Sequence, residues 1–383
     1  MNGRSALAAV PRITFSVVAQ TREETDAVLA FNDRMRAANA PAGFLLPDQP
    51  NNTHTLGTPP QAIERTKFVL VDNDDQVHGG FVLMSQPGWL NGEIVEVANY
   101  QAPLSEGIVD AQYGMVGMHM LRYVQKHWPL TFAVGIGGVD RPLARLLEGA
   151  GWRLCAVPFL FHIVRASRVL SELGVLRERT ALRLMARAGA VTGAGAIGVA
   201  ALQHRAWTSY AAARGVRFER IDRWDDWADG LWGRVRGLSI FSVVRDRAIL
   251  ECLYPLDDPK YLAYVATQAG EIVGWTVALN TQMRDHNHFG NLRVATVLDA
   301  VALPGAAVAV ASQVRRALAA DGADLVVTNQ THEQWLDAFR RAGFLSGPSN
   351  YLFAMSKMLS QSVGDAVSRV HVTRGDGDGR IHL

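Results

Sequence analysis

Apolar and polar positions follow the same pattern in two places along the chain. Near residue 150, apolar residues at helical spacing in Arg141-Pro-Leu-Ala-Arg-Leu-Leu-Glu-Gly-Ala lead to Gly151-Trp152, and the apolar run Phe159-Leu-Phe-His-Ile-Val164 follows. Near residue 343, Glu333-Gln-Trp-Leu-Asp-Ala-Phe-Arg-Arg-Ala leads to Gly343-Phe344, and Tyr351-Leu-Phe-Ala-Met355 follows. In both the period shifts from that of a helix to that of a buried strand. A glycine at a helix end takes the left-handed conformation that stops the helix. The aromatic after it enters the core as the next strand begins. Two such endings, spaced about one small domain apart, predict two copies of one architecture.

The same reading fills in both copies. In the first, spanning 12–165, Ile13–Val18 predicts a strand, and Thr21 with Glu24 makes a capping box that opens a helix through Ala38. The stretch Pro41–Pro60 is long for a plain connector and predicts a functional loop or lid. Lys67–Met84 predicts a hairpin turning at Asn73–Asp75, followed by a strand at Glu93–Val97, a helix from about Tyr113 to His127 and a strand at Thr131–Gly135. In the second copy, spanning 215–358, the order repeats. It has a strand at Val216–Asp222, a helix rich in tryptophan (Trp224, Trp227, Trp232), a hairpin at Tyr261–Leu279 turning at Ala269–Glu271 and a strand at Arg293–Val301. A helix at Ala306–Ala320, a strand at Asp324–Thr328 and the terminal helix and strand complete it. Residues 166–214 predict a helical connector rich in Ala and Gly, and 359–383 a tail or an added edge strand.

The connector contains Gly193-Ala-Gly195-Ala-Ile-Gly198, which has dinucleotide-fingerprint spacing but follows the helical run Leu182–Gly189 rather than a strand. That context predicts close helix packing through small residues. The uncharged run Ala188–Gln203 falls short of the roughly 20 residues of a membrane span, so no stable span is expected. Half of the residues are apolar and 19% are charged, which suits a packed globular chain. The formal net charge of +2, with Arg and Lys spread out, signals no nucleic-acid partner. Cys155 and Cys252 make neither a disulfide framework nor a zinc site, and this usage suits a reducing cytoplasm. The apolar N-terminal stretch is too short for a signal-peptide core, being cut by Pro11 and Arg12.

The element order resembles the GNAT acyltransferase fold. The predicted fold class is thus α/β (α+β), with two GNAT-like mixed-sheet domains in tandem joined by a helical connector. Val109-Asp110-Ala-Gln-Tyr113-Gly114-Met-Val-Gly117-Met-His119-Met-Leu121 is similar to that family's acyl-CoA signature. Val109, Asp110, Tyr113, Gly117 and Leu121 agree with it; Gly114 and His119 replace the family's Arg or Gln and its Gly or Ala. The resemblance implies that Val109, Tyr113, Gly114, Gly117 and His119 line the site for acyl-CoA, acetyl-CoA foremost, with no metal. Loop amides and a helix N-terminus together suit a pyrophosphate. The corresponding Leu303-Pro-Gly305 of the second copy is a weaker match. Trp232–Tyr254 is also similar to the second half of tandem proteins found with polysaccharide-modifying enzymes, and distantly to FemAB-type aminoacyl transferases.

Acyl transfer needs a base for the acceptor proton and donors for the developing oxyanion. Glu96 and Glu106, with Glu93, are the candidate bases of the first copy; Glu93 and Glu96 face opposite sides of a strand. Asp299, alone in the apolar strand Val297–Val301, requires a partner or a raised pKa. Asp285-His286-Asn-His288 is a polar loop cluster, and Asp376-Gly-Asp378 has part of a calcium-loop spacing without its later Glu. The expected activity is acyl transfer from acyl-CoA to an amine or hydroxyl of a small-molecule or sugar acceptor. A non-catalytic binding or scaffold protein with an altered CoA site and a FemAB-like aminoacyl transferase are the alternatives. A homodimer is compatible with all three.

Overall fold

The computed structural model describes residues 14–41, 43–49, 54–56, 63–172, 194–204, 209 and 212–377. Two compact units emerge. One is built on residues up to His54, Glu64–Met84 and Tyr100–Pro129, the other on Ser85–Asn99 and the chain from Leu130 onward.

The first unit holds β1 (Ser16–Ala19), α1 (Thr25–Ala37), the start of β2 (His54–Leu56), most of β3 (Ile63–Val71), the first part of β4 (Val77–Leu90), the last part of β5 (Glu93–Ser105) and α2 (Val116–His127). Glu24 accepts from the Thr21 amide at 2.6 Å and the Thr21 hydroxyl at 2.7 Å, so half of the predicted capping box forms just ahead of α1. Val28, Phe31 and Met35 lie on one face of α1 and bury against Leu46, Val69, Val77 and Leu104. The hairpin between β3 and β4 turns at Asp75, which takes a positive φ of 57°.

The second unit continues with β6 (Thr131–Val134), α3 (Pro142–Gly149), β7 (Arg153–Ala156), β8 (Phe159–Ile163), α4 (Ala166–Glu172) and α5 (Ala194–Leu202). Then come β9 (Val216–Ile221), α6 (Trp227–Val235), β10 (Phe241–Val243), α7 (Arg247–Leu253), β11 (Leu262–Gln268), β12 (Glu271–Gln282) and β13 (Arg293–Ala302). Last are α8 (Ala307–Ala320), β14 (Leu325–Asn329), α9 (Glu333–Arg341), β15 (Leu345–Gly347), β16 (Leu352–Met355), α10 (Lys357–Val363) and β17 (Val370–His371). One sheet runs β1-β3-β4-β5-β6-β16-β7 and the other β15-β8-β14-β13-β12-β11-β9. Helix α8 packs Val310, Val314 and Leu318 into the core of the second sheet with Trp335 and Phe339 of α9.

Both glycine stops form as expected, with Gly151 at φ 81° and Gly343 at φ 87°. The strands beyond them depart from expectation. Phe159–Ile163, expected to close the first copy, pairs antiparallel with β14, Leu325 opposite Ile163, and also with β15. Leu352–Met355, expected to close the second, inserts between β6 and β7 of the other sheet. The copies exchange their last strands. β16 is buried along its whole length and β8 is apolar at every position but His162, so neither sequence has a polar alternation to fix its partner, and the pattern predicts the element and not its neighbour.

Gly195 and Gly198 lie inside helix α5. Leu182–Gly189 and Gly193 lie outside the described residues, as do the N-terminal stretch through Ile13, much of 50–60 and Asp378. The region after residue 359 contains most of α10 and then β17, which pairs parallel with β10. Among the described residues no helix is long and apolar enough to cross a membrane.

Candidate active site

In the first unit the signature-like segment forms two tight turns between β5 and α2. Ser105 accepts from Gly107 N at 3.1 Å, and Asp110 accepts from Gln112 N at 2.9 Å. A side chain at position 107 would put its Cβ 2.6 Å from the Tyr113 carbonyl, so the two turns close on each other only because residue 107 is glycine. The amides of Val109 and Asp110 both donate to Glu106 O at 2.9 Å, and those of Tyr113 and Gly114 to Asp110 O and Ala111 O at 3.1 Å. The loop amides expected to receive phosphate at Val109, Tyr113 and Gly114 therefore already have acceptors. The start of α2 differs. Its N-cap is Met115, with no side-chain cap and no acidic residue in the first turn. The first intrahelical bond is His119 N to Met115 O at 3.0 Å, and the amides of Met115 through Met118 have no backbone acceptor among the described residues. Gly117 sits in that turn. The His119 side chain packs its ring 5.3 Å from Phe15 rather than over the turn.

Glu106 is buried beneath this loop and fully engaged. It accepts from Arg34 Nε at 2.7 Å and Nη2 at 2.9 Å, and lies 2.7 Å from His78 Nδ1. His78 Nε2 lies 2.9 Å from Asp72, and the Tyr113 ring stacks on the imidazole at 4.0 Å. Burial alone would push the Glu106 carboxyl up; the bonds from Arg34 and His78 outweigh it and hold it below its ordinary value. Its bond to Glu106 is the main cause of the raised pKa of Arg34. Glu106 is thus an ionised anchor for the loop.

In the second unit β13 and β14 run parallel and pair only from Val294/Leu325 to Val297/Thr328. The β12–β13 register slips between Val277 and Ala278, and β13 continues to Ala302. Asp299 lies just past the last parallel pair and is fully buried. It accepts from Arg245 Nε at 2.8 Å and the Tyr254 hydroxyl at 3.1 Å. Arg245, equally buried, also donates through Nη2 to Asp376 at 2.8 Å. Burial, reinforced by Asp376, pushes the Asp299 carboxyl up to about 6 against the pull of Arg245. The segment around Asp376 fills the space past Val297 and Thr328. Gly375 lies against Tyr254 and Leu298, and Gln330 forms a bridge with Thr373.

The remaining candidates are spread out. Glu93 and Glu96 are both exposed on β5, and Glu96 accepts from Ser85 Oγ at 2.5 Å. His286 Nδ1 accepts from the amides of His288 and Phe289 at 3.2 and 3.3 Å, so this cluster is an internally bonded loop. Gly305 precedes α8 at φ 85°. The sequence reading missed Arg34, His78 and Arg245. Arg245 carried little signal, since Asp246 and Arg247 follow it directly and the cluster reads as a solvated turn.

No protein-family model matches the sequence, and no curated protein matches it. Among solved structures, a GCN5-related N-acetyltransferase from Anabaena variabilis aligns with 90% of this chain and 73% of its own, at TM-score 0.50 and 11% identity. Weaker likenesses are to Saccharomyces cerevisiae N-myristoyltransferase, covering 92% and 82% at TM-score 0.47 and 11% identity, and to a tandem GNAT protein from the clavulanic acid biosynthesis pathway, covering 90% and 99% at TM-score 0.44 and 12% identity. The fold is GNAT-like in tandem, as the element order predicted.

Proposed function

We propose that the protein is an acyl-CoA-dependent acyltransferase that passes an acyl group, acetyl foremost, to an amine or hydroxyl of a small-molecule or sugar acceptor. The first copy holds the donor. The observation that carries this is the uncapped start of α2, where four successive amides at Met115–Met118 lack backbone acceptors among the described residues and no carboxylate competes for them. Such a turn suits the pyrophosphate of coenzyme A. Glu106, bound to Arg34 and His78, keeps the preceding loop in place and does not act as the base. Of the proposed bases, Glu93 and Glu96 are open to solvent, and Glu96 accepts from Ser85 Oγ. Asp299 is committed to Arg245, which favours a second copy that supports rather than catalyses.

Thermal-shift titration with acetyl-, succinyl- and longer acyl-CoA tests the donor. At about 100 times its dissociation constant a donor adds roughly 2.7 kcal/mol. Gly117→Glu, which places a carboxylate at the open turn, is expected to abolish the shift. No shift with any acyl-CoA would end the reading; a shift unchanged by Gly117→Glu would move the donor to the second copy.

A further inference from the structure

Arg374 is a guanidinium without a counter-ion among the described residues. Its Nε is out of solvent and has no hydrogen-bond partner there, and no described carboxylate lies within ion-pair distance of it. Its one side-chain bond, from Nη1 to Asn329 Oδ1, is neutral and long at 3.2 Å. The guanidinium carbon lies 5.7 Å from the centre of the Tyr351 ring. Asp376, two residues on, is turned away: its Oδ2 is taken by Arg245 and by the Thr373 amide at 2.8 Å each. Burial lowers the pKa of Arg374. A half-buried charge left unpaired is unfavourable, whereas the same cation facing an anion forms a strong bidentate contact.

The position is as telling as the isolation. Asn329 is the last residue of β14, one place beyond its final parallel pairing with β13. The carboxyl ends of parallel strands, where neighbouring strands part, are where open sheets take ligands, and here the segment that occupies that end brings Arg374 to it. Asn99 Nδ2 donates to the Asp376 carbonyl at 2.6 Å, which ties β5 to the same short segment. A planar cation with an unused Nε donor, an aromatic face and the amide that positions the cation thus meet at one strand end.

We propose that Arg374, flanked by Asn329 and Tyr351, is the binding site for a small oxyanion, a carboxylate or phosphate carried by one of the two substrates. This rests on the acyltransferase reading for which substrate carries the anion, but the site itself does not. A planar fork accepts either anion, so its source is left to the measurement.

The test uses the full chain without acyl-CoA, so a failed turnover assay leaves it intact. Binding of acetate, glycine, inorganic phosphate and adenosine 3′,5′-bisphosphate is followed by calorimetry and thermal shift against chloride at matched ionic strength. Wild type is expected to bind at least one of them, and Arg374→Gln to bind it about tenfold more weakly or not at all. A response to acetate or glycine assigns the anion to the acceptor; a response confined to the two phosphates assigns it to the donor. Without added anion, Arg374→Gln is expected to melt at or above the wild-type temperature, because it removes an unpaired charge. Binding to none of the four, or equal binding by both proteins, overturns the site. So does a variant that melts well below wild type in the absence of anion, since that marks a structural cation. If the glutamine variant does not fold, Asn329→Ala in a protein that retains Arg374 is expected to weaken the same anion and carries the comparison.

Discussion

At the scale of single residues, Asp299 shows what a lone charge in an apolar strand implies. Its need for a partner could be read from the sequence; the identity of that partner could not, because Arg245 is 54 positions away and only the packed sheet brings them to 2.8 Å. Its titration gives a checkable sign. The folded carboxyl, at about 6, lies above its ordinary 3.8, so the native state keeps a proton that the unfolded chain has lost. Unfolding free energy should therefore fall as pH rises through that window, by at most about 1.4 kcal/mol per pH unit, and level off above it. Asp299→Asn should remove this slope in denaturant titrations run from about pH 4 to 7. An equal slope in the variant would mean that another group titrates. Glu106 runs the other way: its pKa is depressed, so its contribution is present above the ordinary carboxylate range and lost as pH falls below it.

At the scale of elements, turns were legible and partners were not. Asn73-Asp-Asp75 and Ala269-Gly-Glu271 carry their own turn chemistry, and both hairpins bend there, with Asp75, Ala269 and Gly270 at positive φ. The uncapped start of α2 was not legible: the pattern puts the helix start near Tyr113, whereas α2 begins at Val116 after an uncapped Met115. The commitment of the Val109, Tyr113 and Gly114 amides within the loop was not, because it depends on two turns folding onto each other. The segment from Thr373 to Gly377, read as part of a tail, turns out to be threaded tightly. A Cβ on Gly375 would overlap the Tyr254 hydroxyl and lie 3.3 Å from the Leu298 carbonyl. Gly375→Ala should cost about 1–3 kcal/mol through overpacking. A melting temperature equal to wild type would show that the segment can shift without consequence.

At the scale of the molecule, the duplication was legible from its two glycine stops, and the exchange of strands was not. Each copy alone lacks one strand that its sheet needs. A fragment of residues 12–165 would leave β6 and β7 without β16 between them and strand Phe159–Ile163 without β14. It should show no cooperative melting by circular dichroism. The full chain cut once within 173–193, with both pieces produced together, should recover a single transition. A well-folded isolated fragment would mean that its own last strand can fill the gap.

The exchange also bears on how the chain is born. β7 emerges from the ribosome about 200 residues ahead of the strand that must lie beside it, a wait of roughly 10–40 s at ordinary elongation rates. Throughout that interval two bare strand edges stand open, ready to accept any extended peptide nearby. The first sheet closes only once β16 has been made, so a chain that terminates between β7 and β16 keeps those edges uncovered and is adhesive rather than a smaller working protein.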